Sequence, residues 1–310
     1  MDRGLFMNSK WSCAVDQAIG LSDEEAASLT RACQVEYVDL GSSDKEQFSR
    51  FDMLLLHTKL PDEVLDAFSR CQYIGIRAHN TDYVNGSRAQ TRGIVIRGLP
   101  QFGEHAVAEH AFALIFALTK QLIPAHNNTR TGSWRDGLSP GMAIRGKTLG
   151  IIGYGTIGKE VATLARALGM QVRIVSRHPS SAIESLDEVL RQSDIITLHA
   201  STKHNNGPLI TKDEINCMKD GVILINTARG SLIEYDDLIQ ALLAGKIAGA
   251  GLDVFPEEPY RNPELLDLPN VVCTPHIAFF TTETIHNMNR CLVEQAVRYV
   301  EAHSDQEDQA

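Results

Sequence analysis

The chain has few cysteines and no long apolar run, and these shortages exclude several classes of protein. Its six cysteines among 310 residues include no C-x-x-C pair, so a disulfide-stapled secreted domain is not indicated. No apolar run approaches the roughly 18 residues that span a bilayer. The N-terminus lacks the apolar core and cleavage site of a secretory signal, and the sequence leaves open whether Met1 or Met7 is the native start. We expect reduced thiols and a cytoplasmic protein.

Basic residues are also fewer than acidic ones. There are 29 Lys and Arg residues against 39 Asp and Glu residues, which gives a net charge of -10. Nucleic acids and anionic membranes require a basic face, so neither is an expected partner. His105 and His110 are five residues apart and do not share a helix face, so we expect no metal site there. The chain is 43% hydrophobic, which is enough for a packed core, and its length is typical of about two domains.

The rest of the chain is organised around the stretch K-T-L-G-I-I-G-Y-G-T-I-G-K-E-V-A, residues 147–162. An apolar run at 149–152 predicts a buried strand, and an apolar stripe after the turn predicts a helix that ends near Gly169. The turn matches G-x-G-x-x-G through Gly153, Tyr154, Gly155, Thr156, Ile157 and Gly158. In this pattern the first glycine permits a tight turn, the second lets the backbone approach a pyrophosphate, and the third lets helix and strand pack closely. A glycine-rich turn without a ligand is the alternative, but the following strand at 171–175 favours a dinucleotide.

Strands and helices alternate on both sides of this motif, which predicts an α/β protein with parallel sheets. We predict strands at 11–15, 35–40, 53–57, 73–77 and 94–97 before the motif, and at 171–175, 194–199, 222–226, 248–252 and 271–273 after it. A nearly all-apolar helix is predicted at 103–121, followed at 129–146 by a loop or arm that contains Trp134. The last helix is predicted at 281–301, and the polar tail 304–310 is expected to be disordered.

Three predicted strand ends in the second half each deliver a reactive side chain. Arg229, Glu258 and His276 follow the strands at 222–226, 248–252 and 271–273. Taken singly, they could be an ion-pair partner, a solvated loop charge and a core histidine. Because the carboxyl ends of parallel strands meet at one edge, together they predict a cation, a carboxylate and an imidazole beside a bound cofactor.

The motifs around these residues resemble those of the D-isomer-specific 2-hydroxyacid dehydrogenase family. They read A-V-A-E-H-A from Ala106, L-I-N-T-A-R-G-S-L-I from Leu224, A-G-L-D-V-F-P-E-E-P from Ala250 and T-P-H-I-A from Thr274. The resemblance implies two Rossmann-like, doubly wound parallel-sheet domains. A cofactor domain at 102–283 would be inserted into a flavodoxin-like substrate domain formed by 1–101 and 284–310. It also implies a homodimer formed through the cofactor domains.

The resemblance further implies a role for each residue of the site. Arg229 would pair with the substrate carboxylate, helped by main-chain N–H groups near Ala78, His79 and Asn80, and His276 would be the general acid oriented by Glu258. Asp253 would lie near the nicotinamide amide. The further predicted cofactor contacts are His199, Thr227, Ala228, Arg229, His276 and Ala278. Ser176 and Arg177 are also predicted cofactor contacts, but these two residues depart from the family pattern.

Two departures from the family pattern bear on specificity. The strand at 171–175 leads into Ser176-Arg177-His178-Pro179, and no acid for the ribose 2′-hydroxyl appears before Glu184. We therefore predict NADP(H), with NAD as the alternative if Arg177 is only a surface charge. The loop from Ala78 to Asp82 lacks the glycines of many relatives, so His79 and Asn80 either contact the substrate or narrow its pocket.

Two functions are consistent with these features. The first is a reductase of small 2-oxoacids, of the glyoxylate or hydroxypyruvate type. The second is a corepressor-like protein that senses NAD(P)(H) with little turnover. The intact set of Arg229, Glu258 and His276 favours the enzyme.

Overall fold

The computed structural model describes residues 11–100, 102–177, 184–201 and 207–307, with the main chain alone over 305–307. Met1, Met7, His178 and Pro179 lie outside these ranges. The chain divides into two compact units, one within Met1–Phe102 and Thr281–Ala310, the other within Gly103–Phe280. Each unit has its own parallel sheet flanked by helices, which confirms the predicted α/β class with two doubly wound domains.

The strands and helices of the described residues alternate along the chain, except that α4 is followed directly by α5. The strands are β1 Ser12–Asp16, β2 Gln34–Val38, β3 Met53–Leu56, β4 Tyr73–Ile76, β5 Val95–Gly98, β6 Thr148–Ile152, β7 Gln171–Val175, β8 Ile195–Leu198, β9 Val222–Asn226, β10 Ile247–Leu252 and β11 Val271–Cys273. The helices are α1 Asp23–Ala32, α2 Asp62–Ala67, α3 Gly86–Thr91, α4 Glu104–Thr119, α5 Leu122–Thr131, α6 Thr156–Ala167, α7 Leu186–Gln192, α8 Lys212–Cys217, α9 Tyr235–Leu243, α10 Pro263–Leu266 and α11 Thr282–Glu307. Short 3-10 turns cover Glu46–Arg50 and Gly230–Leu232.

The first unit is a five-stranded sheet in the order β2-β1-β3-β4-β5, all parallel. Buried Asp16 ends β1, and its carboxylate accepts main-chain N–H groups that follow the strand ends. Burial opposes the charged form, but the hydrogen bonds from Ala18, Thr58 and His57 outweigh it and lower the pKa of Asp16. This carboxylate therefore ties the ends of β1 and β3 together.

The loop that follows β4 is fixed to the end of β5. Leu99 N–H donates to the Ala78 carbonyl at 2.8 Å, and Nδ1 of His79 lies 3.2 Å from the Leu99 carbonyl. A Cβ at Gly98 would come within 2.9 Å of the His79 carbonyl oxygen, so a larger residue would push the loop away. The loop is thus held by its own sheet at the carboxyl end of β4.

The second unit is a six-stranded parallel sheet in the order β11-β10-β9-β8-β6-β7. Alternate residues of its strands face two separate cores: Leu149 and Ile151 pack with α4 and α6, whereas Ile196 and Leu198 pack with α7 to α9. Strand order reverses at β6, with β7 on one side of it and β8 on the other. In such sheets, ligands bind beyond the carboxyl ends of the strands at this switch point.

Two helix predictions are wrong at their ends. The helix predicted at 103–121 ends at Thr119, and the chain bends at Gln121, whose φ is +51°, into α5. Pro124 explains the break, because it has no N–H for the Lys120 carbonyl and its ring would clash there. As a result, α5 occupies the beginning of the predicted arm.

The last helix is longer than predicted. It continues to Glu307 instead of ending at 301, so residues 304–307 of the expected disordered tail are helical, and 308–310 lie outside the described ranges. His303 supports the extra turn, since its ring stacks on Tyr299 at 4.1 Å and its Nδ1 lies 2.8 Å from the Tyr299 carbonyl.

None of the described helices is by itself long and apolar enough to cross a membrane. Only α4 and α5 taken together, at an angle of 57°, reach the required length and composition.

Candidate active site

The glycine-rich turn joins β6 to α6 as the sequence predicted. Gly153 has φ +105°, and an added Cβ would clash with the main chain of His199, which follows β8. An added Cβ at Gly158 would clash with the carbonyl oxygen of Gly153. Glycine at these two positions therefore allows a tight turn and a close approach of helix to strand.

Gly155 stands in a different environment from the other two glycines. It is the N-cap of α6, a helix of twelve residues with no side-chain cap, and a Cβ added there would meet no atom within 4 Å. The first N–H groups of a helix have no partner within the helix and attract anions. The space beside Gly155 would accept a diphosphate that a larger residue would obstruct.

Two buried polar atoms at neighbouring strand ends also suit a polar ligand. Thr227 Oγ1, after β9, and His199 Nδ1, after β8, are hydrogen-bonded to none of the described residues. Burying such a group without a partner costs about 1–3 kcal/mol, which a bound ligand can relieve. Burial also lowers the pKa of His199 to about 4, so its imidazole is neutral at pH 7. The residues present thus fit a dinucleotide.

The end of β7 carries Ser176 and the exposed Arg177. Glu184, the first acid after this strand, forms an ion pair with Arg173 of β7, and its N–H donates to the Ile174 carbonyl at 2.9 Å. The first carboxylate after β7 is therefore engaged by an arginine of the same strand.

Arg229 lies in a loop that Asn226 organises. The buried Asn226 amide accepts from Ala228 N–H at 3.0 Å and donates to the Arg229 carbonyl at 2.8 Å. The Arg229 side chain is exposed, and its Nη1 donates to the Ala228 carbonyl at 2.6 Å. Next in the chain, Gly230 packs so closely on Phe255 that an added Cβ would clash with the Phe255 main chain. The loops after β9 and β10 are thus pressed together.

His276 and Glu258 form the closest contact among the predicted catalytic residues. His276 Nδ1 lies 2.8 Å from Glu258 Oε2, and both side chains are partly exposed, at 38% and 39%. The second oxygen of Glu258 accepts from Phe255 N–H at 3.1 Å, which anchors the carboxylate in its own loop. An ionised carboxylate only accepts hydrogen bonds, so Nδ1 carries the proton of this pair. Nε2 of His276 is then the nitrogen that can exchange a proton with a substrate.

Asp253, at the end of β10, is fully buried and borders the His276 loop. Its carboxylate accepts from Ile277 N–H and Ala278 N–H, each at 2.9 Å. His276 itself has φ +56°, and its N–H donates to the Asp253 carbonyl at 2.8 Å. The loop therefore closes around the carboxylate of Asp253 and holds His276 in a left-handed conformation.

The structure brings the predicted residues of the second unit to one sheet edge. Glu258 contacts His276, Asp253 binds the Ala278 N–H, and Thr227, Ala228 and Arg229 share the loop that abuts Phe255. Ala78, His79 and Asn80 belong to the first unit, at the end of β4. No group of three or more His, Cys, Asp or Glu side chains suited to a metal occurs in the described ranges.

Two residues that were not predicted as part of the site also shape it: Asn226, which organises the Arg229 loop, and Phe279, whose ring meets that of His276 edge-on at 6.0 Å. Asn226 lies within the L-I-N-T-A-R-G-S-L-I motif, but only the structure shows that its amide holds the Arg229 loop. No spacing pattern marked Phe279.

Comparison with known proteins gives one family. The model of the D-isomer specific 2-hydroxyacid dehydrogenase NAD binding domain matches residues 112–278. The glycerate dehydrogenase of Methylorubrum extorquens is 38% identical over 238 residues, which is 74% of each chain. The glyoxylate reductase of Thermococcus litoralis is 35% identical over 260 residues, which is 79% of this chain and 78% of the relative. The structure of an NADPH-dependent glyoxylate/hydroxypyruvate reductase from Sinorhizobium meliloti superimposes with a TM-score of 0.80, at 26% identity, over 92% of this chain and 93% of the other.

Proposed function

The chain belongs to the D-isomer-specific 2-hydroxyacid dehydrogenase family, and on that premise we propose that it reduces small 2-oxoacids with NADP(H). The observation that carries the proposal is the His276–Glu258 pair, 2.8 Å apart at the carboxyl edge of the sheet that also bears the glycine-rich turn. We assign residues 102–283 to the cofactor domain, and 1–101 with 284–310 to the substrate domain.

His276 is the proton donor in this proposal. Its Nδ1–H donates to Glu258, so Nε2 is the ring nitrogen that gives its proton to the substrate. A nicotinamide cofactor, when bound, supplies the hydride to the ketone carbon. The proton from Nε2 goes to the ketone oxygen, which yields the 2-hydroxyacid and leaves His276 neutral.

Arg229 holds the substrate carboxylate. Its loop is fixed by Asn226 and by the packing of Gly230 on Phe255, so the exposed guanidinium starts from a defined main chain. The planar guanidinium suits a carboxylate because it can form two parallel hydrogen bonds. That main-chain N–H groups near Ala78, His79 and Asn80 also bind the substrate remains a prediction from the sequence.

Variants of the two residues test these roles. We expect His276→Ala and Arg229→Ala to lower kcat/KM by about a thousandfold, as the loss of an acid or a charge contact in the transition state does. NADPH binding, followed by fluorescence titration, should persist in both variants. Near wild-type rates in either purified variant would refute its role.

The preference for NADP(H) rests on the end of β7. Ser176 and Arg177 offer a hydroxyl and a guanidinium suited to a 2′-phosphate, and Glu184 is engaged by Arg173. The other predicted cofactor contacts remain predictions: they are the glycine-rich turn, His199, Thr227, Ala228 and Ala278.

Steady-state kinetics with both cofactors test this preference. We expect a higher kcat/KM with NADPH, which Arg177→Ala lowers at least about tenfold while the NADH value changes little, because only NADPH carries the phosphate. Arg166→Ala, at an exposed position near the end of α6, is the matched control. A higher kcat/KM with NADH in the wild-type protein would contradict the proposal.

A panel of 2-oxoacids separates the enzyme from a nucleotide sensor. Glyoxylate, hydroxypyruvate and pyruvate, each with NADPH and NADH, would identify the preferred substrate and cofactor together. Turnover of any of them supports the reductase. Tight NADPH binding without turnover on the whole panel would favour the sensing protein instead.

A homodimer is part of the proposal. Leu122 and Ile123 of α5 and Trp134 are large apolar residues that are exposed in the single chain, Trp134 to 69%. Large apolar side chains that stay exposed on a single chain suit an interface with a second copy. We expect sedimentation to give the mass of two chains.

A further inference from the structure

A second set of contacts, separate from the His276–Glu258 pair, supports the loop that carries His276. It consists of the buried Asp253 carboxylate and the Thr274 hydroxyl, whose Oγ1 lies 2.6 Å from Asp253 Oδ1. His110, from α4, reaches the same point: its Nε2 lies 3.0 Å from Thr274 Oγ1 and 3.5 Å from Asp253 Oδ1. Residues 110 and 274 are far apart in the sequence, so the fold alone brings them together.

The chemistry of the three groups fixes the direction of their hydrogen bonds. The Asp253 carboxylate accepts, so the single proton of the Thr274 hydroxyl points to Oδ1. Thr274 Oγ1 must then accept from His110, whose Nε2 carries a proton. The chain of donors therefore runs from His110 through Thr274 to Asp253.

The Asp253 carboxylate, at which this chain of donors ends, also binds the main chain that follows His276. It accepts from Ile277 N–H and Ala278 N–H, so the same carboxylate joins Thr274 to the His276 loop. His276 has φ +56°, a left-handed conformation that is unfavourable for a residue with a side chain, so neighbouring contacts must maintain it. A carboxylate with no exposed surface in turn needs its own donors, which are the two N–H groups and Thr274.

We infer that His110 and Thr274 are positioning residues that hold the His276 loop through Asp253. The inference rests on the proposed role of His276 as proton donor. Glu258 orients the ring of His276, whereas the His110–Thr274–Asp253 chain sets the main chain from which that ring extends. Asp253 acts here as a support of the loop, in addition to the implied position near the nicotinamide amide.

The Thr274 hydroxyl is the first group to test. Thr274→Val keeps the shape of the side chain but removes the donor to Asp253 and the acceptor for His110. We expect kcat to fall about 10- to 100-fold, the effect of a displacement near 1 Å at a reacting group, with the Kd for NADPH little changed. Thr274→Ser restores the hydroxyl and should recover most of the lost kcat. Thr163→Val, at an exposed position of α6, is the matched control and should behave as wild type.

His110 gives an independent pair of variants. Gln places an amide nitrogen near the position of Nε2, so His110→Gln should retain kcat, whereas His110→Phe should lower it. His105→Phe is the control on the same helix, since the His105 side chain is 73% exposed. If Thr274→Val does not fold, the two His110 variants decide the question, because they leave the Thr274–Asp253 bond in place.

His276→Ala, measured beside them, separates two kinds of failure. Full activity in His276→Ala would overturn the proposed function itself. If His276→Ala is inactive but Thr274→Val and His110→Phe retain wild-type kcat, the positioning role is wrong. An equal loss of kcat in Thr274→Val and Thr274→Ser, or in His110→Phe and His110→Gln, would also refute it, because the hydrogen bonds would then not matter. If Thr274→Val and His110→Phe changed only KM and left kcat unchanged, the positioning role would also be refuted.

Discussion

Replacement of His199 by Gln should make the protein less sensitive to acid. Burial lowers the pKa of this imidazole to about 4, whereas an unfolded chain gives a histidine a pKa of about 6.5. Between these values the unfolded chain binds a proton that the folded chain does not. The contribution of neutral His199 to stability is therefore complete above about pH 6.5 and is lost as the pH falls towards 4.

The size of the effect follows from the same two pKa values. From about pH 7.5 to about pH 5, His199 should remove about 2 kcal/mol from the free energy of unfolding, on the way to a limit of about 3 kcal/mol below pH 4. Gln has no proton to gain and can still hydrogen-bond to Thr197, whose Oγ1 lies 2.9 Å from His199 Nε2. The variant should therefore escape this loss.

Urea unfolding followed by circular dichroism at the two pH values measures the difference. His57, whose pKa burial also lowers to about 4, is present in both proteins, so its contribution cancels when the two pH-dependent losses are subtracted. His105→Gln, at an exposed position, is the control and should lose as much stability as wild type. A loss in His199→Gln equal to that of wild type would show that the His199 imidazole is not desolvated in the folded protein.

Three further predictions concern the turn, the first sheet and α5. Gly155→Val should lower the affinity for NADPH at least about tenfold without loss of Tm, since the space beside Gly155 is open. Gly158→Ala should lower Tm by several degrees, since its Cβ would clash with the Gly153 carbonyl oxygen. A loss of Tm in Gly155→Val together with an unchanged Tm in Gly158→Ala would contradict this geometry. Asp16→Asn should be less stable than wild type at pH 7, and thermal melts should show the gap narrowing below about pH 4, because the lowered pKa of Asp16 gives stability that acid removes. Trp134→Ser should shift sedimentation towards the monomer, and an unchanged mass would place the interface elsewhere.

Local sequence signals predicted the elements that depend on neighbouring residues. The S-x-x-E pattern from Ser22 to Glu25 is a local signal of this kind: Ser22 Oγ accepts from Glu25 N–H, and Glu25 Oε2 accepts from Ser22 N–H at the start of α1. The strands β9 and β11 run over the predicted residues, and the turn after β6 has the predicted glycine geometry. Apolar runs and glycine positions suffice here, because each element is specified within a few residues.

The unpredicted features depend on residues that are distant in the sequence or on weak local signals. His110 interrupts an apolar helix, and only the packing of α4 against β10 and β11 shows that it meets Thr274. The helix α3 is short and starts with Gly86, so its periodicity is weak; it is stabilised by the Asn85 side chain, which accepts from Arg88 N–H. The pairing of Glu184 with Arg173 likewise required the structure.

The close packing of Gly230 on Phe255 has a consequence for protein engineering. The segments that carry Arg229 and Glu258 share one contact surface, and a side chain larger than hydrogen at position 230 would separate them. A graft that replaces only one of these segments with a foreign sequence would leave two mismatched halves. A segment exchange intended to change the substrate preference should therefore replace residues 226–259 together.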